Sequence, residues 1–555
     1  MKKAIIFGLL SIIWSFTIAQ NTVGLLQYDP LEVSPGMNLF FPHNQSSTFL
    51  MNNCGEVVHT WSMADTMRPG NSVYLLENGL LVRCSRPNNI INDVIWAGGG
   101  GQFVDLVDWE GNITARFELN NDSFRLHHDI EPLSNGNILM IVWERIGEEE
   151  ALLAGRRAEL LPDGEVWSEK IIEWNPSLDS LVWEWRVWDH LVQNQDESLM
   201  NFGMVHGNYE QVDINYDEHD GHPDWLHINA IDYNPVLDQI VLSVPYFNEF
   251  WIIDHSTSVE EARSNEGGNF EKGGRLLYRW GNPKTYIKNR ATNQHLFFQH
   301  DVQWLNPIAE PGTEDFGKIV LFNNRYAEDY SVGMVVSTFV DLENKTYSSL
   351  DGILLPEQED FIIQHPDNSP KELSDGLSSI QRLSNGNWLL LYGRWGYAIE
   401  LNEEHQLVWE YIIPLKGGAP IAQGSILSSN NNLTFRFNRY PIDYPAFQGK
   451  NLDNGQPLEM NPNNILCSST SVQNHLLDPI YFRIGPNPAE DLFNLKINGN
   501  QKVEFVKLYN ISGQLEQSWY GTGLETQPYY VGFLNAGLYI VQTNLGSQPL
   551  IIQKK

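Results

Sequence analysis

The chain has 555 residues, with 35 Lys plus Arg against 69 Asp plus Glu and a net charge of −34. Such a surface repels nucleic acid and anionic lipid, so neither is expected as a partner, although a local basic pocket is compatible with it. Aromatic residues make up 12%, with 18 Trp and 44 Gly, which favours β-rich architecture over helix bundles. Three cysteines, Cys54, Cys84 and Cys467, are too few for a disulfide scaffold but allow one bridge.

Residues 1–20 read as a secretory signal peptide. Lys2 and Lys3 precede an apolar run from Ala4 to Ile18, and Thr17, Ala19 and Gln20 suit cleavage near Gln20. No later stretch is long and apolar enough to cross a bilayer. The mature protein is therefore expected outside the cytoplasm.

Beyond it, one phrase recurs. HHDIEPLSNGNILMIVWER, residues 127–145, is a polar entry, an Asn-Gly turn and an apolar run, which together signal a hairpin. The phrase returns at Asn71–Arg83 and Ser378–Arg394, with longer turns from His227 and from His300, and weakly at Ser425–Arg439. A second hairpin type lies between these copies, at Phe49–Trp61, Phe103–Leu119, Ile171–Trp185, Phe250–Gly281, Val335–Leu350 and Tyr397–Tyr411. Six of each kind alternate, which predicts six four-stranded units arranged as a β-propeller over residues 21–480. The series starts with a hairpin of the second kind and ends with one of the first. One blade must then combine both chain ends, leaving few unpaired edges.

The connections vary. Residues 145–165 are rich in Ala, Leu, Glu and Arg and predict a short helix. Residues 186–224 form a long insertion that contains Asp217-Glu218-His219-Asp220-Gly221-His222. Loops of this length are usually functional or disordered, and several precede a histidine-bearing strand. Near Tyr481 the composition shifts, and residues 483–555 predict a small β-sandwich with a Ser512-Gly513 turn. Its Pro486-Asn487-Pro488, Leu508–Gln514, Ala536–Val541 and Lys554-Lys555 resemble the C-terminal sorting domain of proteins exported by the type IX secretion system. That resemblance implies that the secretion machinery is a partner and that the destination is the cell surface or the medium.

Chemistry-bearing residues fall at repeat positions. His128, His227 and His300 occupy the start of the first strand in three successive units, where Asn71 and Ser378 stand in two others. Equivalent innermost strands converge on a propeller's channel, so the three imidazoles are expected to meet. Arg83, Arg145, Arg325, Arg394 and Arg439 end the second strands of five hairpins and predict a cationic rim suited to an oxyanion. Arg325, Arg394 and Arg439 follow the clearest strands.

The segments Asp224–Ser243, Phe297–Leu305 and His127–Asn137 resemble the histidine motifs of bacterial arylsulfate sulfotransferases. The similarity covers about residues 25–445, and Asp-Trp-x-His-x-Asn, ending at Asn229, is its most specific part. The resemblance implies an exported six-bladed enzyme that moves a sulfuryl group from an aryl sulfate ester to a phenol through a sulfated histidine. It needs no nucleotide donor, cofactor or metal. His300 would be the nucleophile, His227 would bind sulfate and orient the donor, and His128 would complete the pocket and transfer protons. Imidazole suits this work because it is nucleophilic when neutral. Arg325, Arg394, Arg439 and Asn229 would bind substrate. One departure stands out: Pro245 falls where the family carries an arginine, and Arg325 is the first candidate to replace it. Three rival readings remain: a non-catalytic propeller binding an anion or glycan, a metal-dependent hydrolase using the Asp217–His222 cluster, and an adhesive surface protein.

Overall fold

The computed structural model describes residues 21–287, 293–366, 370–453, 455–463, 465–468, 482–497, 502–510, 514–524 and 526–554. The signal segment, the Ser512-Gly513 turn, Lys555 and the expected boundary near 480 lie outside the described residues. The chain divides into two compact units, Met1–Cys467 and Ser468–Lys555.

In the first unit six sheets of four or five strands follow one another. Blade 1 is Met67–Leu75, Leu81–Pro87, Phe103–Val107 and Ile113–Glu118, and blade 2 is Phe124–Pro132, Ile138–Gly147, Glu165–Asn175 and Ser180–Arg186. Blade 3 is Ala230–Asn234, Gln239–Val244, Glu249–Asp254 and Tyr278–Trp280, and blade 4 is His300–Trp304, Lys318–Asn323, Val332–Ser337 and Phe361–Ile363. Blade 5 runs from Ser379–Arg382 through Trp388–Tyr392 and Tyr397–Leu401 to Leu407–Ile412, with Gly24–Tyr28 added outside.

The hairpin signals act locally as expected. Gly79, Gly136 and Gly386 each take positive φ after an Asn, and each N–H closes its turn on a Leu carbonyl three residues back at 2.9 Å. A side chain at such a position strains the backbone, which is why Asn-Gly marks the site. Between every pair of neighbouring blades lies an apolar layer. Leu139, Ile171, Ile231 and Leu242 fill the space between blades 2 and 3, and Val241, Phe250, Ile319 and Leu321 that between blades 3 and 4. Leu389, Trp409, Phe40 and Phe437 join blades 5 and 6, and Leu39, Leu50, Val73 and Leu81 join blade 6 to blade 1. The ring therefore closes, and the unit is a six-bladed β-propeller. Each fully buried Leu, Ile or Phe contributes about 1.5–3 kcal/mol, so the interfaces are what hold the ring together.

Closure differs in detail from the expected pairing of two hairpins. Ser425–Arg439 does not form a hairpin. Only Thr434–Pro441 is a strand, and it pairs with Gly36–Pro42, which the repeat pattern missed. Blade 6 thus takes its inner strand from late in the chain, the next three, Gly36–Pro42, Ser47–Asn52 and Glu56–Ser62, from early in it, and a short outermost strand, Gln456–Pro457, again from late in it. A disulfide between Cys54 and Cys467 ties the early strands to the end of this unit, while Cys84 is free and buried. A bridge across so long a loop contributes roughly 2–5 kcal/mol. The outer strand of blade 4 is also not where expected. Val332–Ser337 pairs with Phe361–Ile363, and residues 340–347 fold back as a separate small hairpin. The helix predicted in 145–165 is Glu148–Leu153.

The second unit has a three-stranded and a four-stranded sheet that share a core of Phe482, Phe493, Val506, Leu508, Tyr529, Val541 and Leu550.

Candidate active site

The inner strands are entered or interrupted by residues with backbone in the left-handed region. Asn71 (φ 99°), His128 (φ 52°), His227 (φ 58°) and Ser378 (φ 95°) share it, and in blade 4 Phe298 and Asp301 bracket His300 with φ 58° and 54°. Non-glycine residues held there cost about 1–3 kcal/mol each and cluster at functional sites. The twist turns the histidines toward one another. The rings of His128 and His227 meet edge to face at 4.5 Å, and Phe435 lies 6.0 Å from His128 and 6.3 Å from His300. All three histidines are buried.

Each imidazole is held by its Nδ1. For His227 the partner is Asp224 Oδ2 at 2.5 Å, and Asp224 also accepts from Trp143 Nε1 at 3.1 Å. His300 Nδ1 lies 2.8 Å from Asn324 Oδ1. The amide nitrogen of Asn324 is committed to the carbonyls of Ser374 and Leu377 at 2.7 and 2.8 Å, so its oxygen must face His300. His300 therefore carries its proton on Nδ1, and Nε2 keeps its lone pair. That Nε2 accepts the Leu377 N–H at 3.2 Å, which confirms the tautomer from the other side. Leu377 itself has positive φ, 61°, which aims this N–H inward. Among the described residues no group bonds Nε2 of His128 or His227.

Burial pushes both His128 and His300 well below the usual histidine range, and the neighbouring imidazoles and Arg436 add to it. Neutral, nucleophilic imidazole is therefore the resting form.

His128, not His127, faces its counterparts. His127 stacks flat on Trp143 at 3.9 Å inside blade 2. A glycine loop covers His128: the His128 N–H bonds Gly99 O at 2.8 Å, and a Cβ on Gly99 would fall 2.1 Å from His128 Nε2. Only glycine permits that approach.

The expected arginines separate. Arg325 stands at the mouth, its guanidinium 3.9 Å from the Phe298 ring, which lies 5.7 Å from His300 and 6.4 Å from His227. Arg394 is on the outer rim, paired with Asp375 at 2.9 Å and donating to Asn430. Arg439 is not available to substrate. It is buried between blades 5 and 6, ion-paired with Glu400, donating to Asn38 Oδ1 at 2.8 Å and lying over Trp409. Arg83 is likewise buried, near Asp105, and Arg145 pairs with Glu165, so no continuous cationic rim forms. Asn229 is buried too; its amide donates to Gln299 O at 2.9 Å, joining blades 3 and 4, while its Oδ1 has no hydrogen-bond partner among the described residues.

The arginine at the channel centre is one that the repeat pattern passed over. Arg436 lies on the same inner strand as Arg439, three residues earlier. Strand side chains alternate, so 436 points to the channel and 439 into the blade interface. Arg436 meets Asp129 Oδ2 at 2.8 Å and Asp301 Oδ1 at 3.0 Å and lies over Phe435 at 4.0 Å. This cross-channel ion pair, with Tyr74 OH donating to Asp129 at 2.7 Å, floors the histidine pocket. Burial raises the Asp301 carboxyl to about 6, even with Arg436 opposing it.

Pro245 directly follows its strand, and the next residue, Tyr246, stacks on His227 at 4.8 Å and on Phe298 at 5.7 Å. Where an arginine was expected, the pocket has an aromatic wall. His219 packs on Tyr246 at 3.9 Å, Asp217 pairs with Arg156 at 2.6 Å, and Glu218 accepts from Tyr216.

A family model described as arylsulfotransferase (ASST) matches residues 31–414. The chain belongs to the arylsulfotransferase family. A second model, a secretion system C-terminal sorting domain, matches residues 483–555, so this arylsulfotransferase reaches the cell surface or the medium through the type IX system. No curated protein matches the chain. Several solved structures superpose weakly. A protein of unknown function from Bacteroides caccae shares 11% identity over 68% of this chain and 94% of its own, with a TM-score of 0.33. A streptogramin B lyase shares 10% over 76% and 95%, also at 0.33, and the Dos1 propeller shares 9% over 73% and 76%, at 0.30. Scores this low leave the propeller to rest on the sheet order itself.

Sequence reasoning missed Asn324, Arg436, Tyr246 and Gly99. Asn324 had a signal, lying beside Arg325 in FNNR, and the four glycines of residues 98–101 were another.

Proposed function

We propose that this arylsulfotransferase moves a sulfuryl group between phenolic compounds through a sulfohistidine at His300, without a nucleotide donor. The observation that carries the reading is the tautomer of His300. Asn324 holds the proton on Nδ1, so Nε2 is the nitrogen that carries the lone pair, and the Leu377 N–H that it accepts at 3.2 Å is released when it attacks.

In the first half-reaction Nε2 attacks the sulfur of an aryl sulfate, the S–O(aryl) bond breaks, and the phenolate leaves with a proton from His128. In the second, a phenol gives its proton back to His128, its oxygen attacks the sulfur, and the N–S bond breaks. His227, held at Nδ1 by Asp224, donates from Nε2 to a sulfuryl oxygen as the imidazolium paired with that carboxylate, and the released Leu377 N–H and Arg325 supply the remaining donors. Pre-aimed donors of this kind are the main means of stabilising charge that develops in a transition state. Tyr246 and Phe298 give aromatic rings a face to stack on, which suits phenolic substrates. Arg394 is retained as an outer contact for a larger substrate. Arg439 leaves the substrate set because its guanidinium is buried in the ion pair with Glu400, and Asn229 because its amide links blades 3 and 4.

A non-catalytic anion-binding propeller is the second reading. It is favoured by Pro245 in place of the family arginine and by the neutralisation of Arg436 by two carboxylates. Intact-protein mass after incubation with 4-nitrophenyl sulfate separates the two readings. A sulfuryl adduct that maps to His300 and disappears in His300→Ala, with the fold retained, is the expected result. No adduct and no turnover by the unsubstituted protein would leave the binding reading.

A further inference from the structure

Behind His128 the site continues into blade 2 through two side chains that the transfer chemistry does not touch. His127 Nδ1 lies 2.9 Å from His128 Nδ1. A single proton joins these two nitrogens, so one ring must donate and the other accept. On the far side of the ring, His127 Nε2 faces Glu169 Oε2 at 3.5 Å, with both side chains wholly shielded from solvent. Neither of these two atoms has a hydrogen-bond partner. The other Glu169 oxygen accepts the Ile228 N–H at 2.8 Å, next to His227. Trp143 fixes the geometry: it stacks on His127, pairs across the sheet with Glu169 and donates to Asp224.

Two buried polar atoms facing each other without a bond are costly, and a proton between them removes the cost. If Glu169 is the donor, the polarity of the whole row is set. The Glu169 O–H points to His127 Nε2, the His127 Nδ1–H points to His128 Nδ1, and His128 carries its proton on Nε2. That is the nitrogen left without a partner beside His227. Burial and the nearby Asp224 raise the Glu169 carboxyl well above its ordinary range, and burial lowers His127, so a neutral acid and a neutral imidazole are consistent with the arrangement.

We propose that Glu169 and His127 form a buried proton relay that recharges His128 between the two half-reactions. The proposal rests on the transferase reading above. When His128 Nε2 protonates the departing phenolate, its Nδ1 takes the proton of His127 Nδ1. His127 Nε2 takes the proton of Glu169, and a carboxylate remains. When the acceptor phenol gives its proton to His128 Nε2, each transfer reverses and Glu169 is a neutral acid again. One proton is lent and returned, and no oxidant or outside base enters. Glu169 and His127 are positioning and relay residues, since neither touches substrate.

The test uses the full chain with Glu169→Gln, in which the amide N–H still bonds His127 Nε2 and preserves the tautomers but has no proton to lend. Two donors are compared: 4-nitrophenyl sulfate, whose phenolate leaves unaided, and 4-methoxyphenyl sulfate, whose phenolate needs a proton. The expected result is a loss of roughly 100-fold on the second donor, the scale of general acid catalysis, with turnover of the first nearly unchanged. Equal loss on both donors, or no loss on either, overturns the relay. Nitrogen NMR of the imidazoles in the unsubstituted protein is a readout independent of turnover. A proton on Nδ1 of His127 and on Nε2 of His128 is expected, and a proton on Nδ1 of His128 overturns the relay. Failure of the unsubstituted protein to turn over either donor is a different result, and it removes the transferase reading itself.

Discussion

Blades 2, 3 and 4 and blades 5, 6 and 1 are the same repeat put to different uses. In the first half the strained position of the inner strand presents His128 and His227, and in blade 4 it brackets His300. In the second half the same backbone holds Ser378 and Asn71. Ser378 Oγ donates to Ser374 Oγ at 2.9 Å and accepts the Gly393 N–H at 3.0 Å, which shapes the loop that aims Leu377 and Asn324 at His300. The first half thus carries the reactive nitrogens together with Asp224 and Asn324, which fix two of them, and the second half adds the Leu377 N–H. The two arginines of blade 6 repeat the contrast within one strand, with Arg436 flooring the pocket and Arg439 locking two blades.

The contrast breaks most completely at the ring closure. Deleting residues 21–62 removes three of the five strands of blade 6 and Cys54, leaving Thr434–Pro441 without its partner. Cooperative unfolding should disappear, because the loss far exceeds the few kcal/mol of net stability of a domain. An unchanged melting curve would show that the six blades are not one cooperative ring.

The arginines give the next test. Arg439→Ala should cost about 3–5 kcal/mol of stability, the scale of stranding the buried Glu400 carboxylate. The protein that remains folded should turn over at the parental rate. Arg325→Ala should do the reverse, keeping the melting temperature while slowing aryl sulfate turnover by about 100-fold. If Arg325→Ala shifts melting instead, the mouth arginine belongs to the scaffold.

A smaller effect is expected for Ser378→Ala. Losing these buried hydrogen bonds should destabilise by about 1–3 kcal/mol and lower turnover only through a looser His300. The adduct should still form on His300.

The smallest effect is one of pH. Burial and Arg436 hold His300 below its ordinary value of 6.5. A depressed histidine stays neutral as pH falls through 6.5, so donor kcat/KM should stay level between pH 8 and pH 6. A fall centred at 6.5 would mean that the nucleophile is an exposed, unperturbed imidazole.

Much of this was written locally. The Asn-Gly turns and apolar runs specify hairpins over a few residues, and their alternation fixes six blades. The motifs around His227 and His300 point to aryl sulfate chemistry, and the residues from Pro486 onward point to type IX export. These signals survive in the sequence because short-range geometry alone decides them. Orientation and partnership were decided only by the closed ring. A one-residue shift in strand register reverses which side chains face the channel, so a repeat pattern that singled out Arg439 could not show that Arg436 is the one that faces it. Asn324, Tyr246 and Gly99 matter because distant strands bring them within hydrogen-bonding or van der Waals reach of a histidine. The innermost partner of Gly36–Pro42 lies about four hundred residues away, at Thr434–Pro441, and no local pattern announces it. Which histidine nitrogen carries a proton depends on those same distant contacts, because the tautomer is set by whatever the tertiary structure places against the opposite side of the ring.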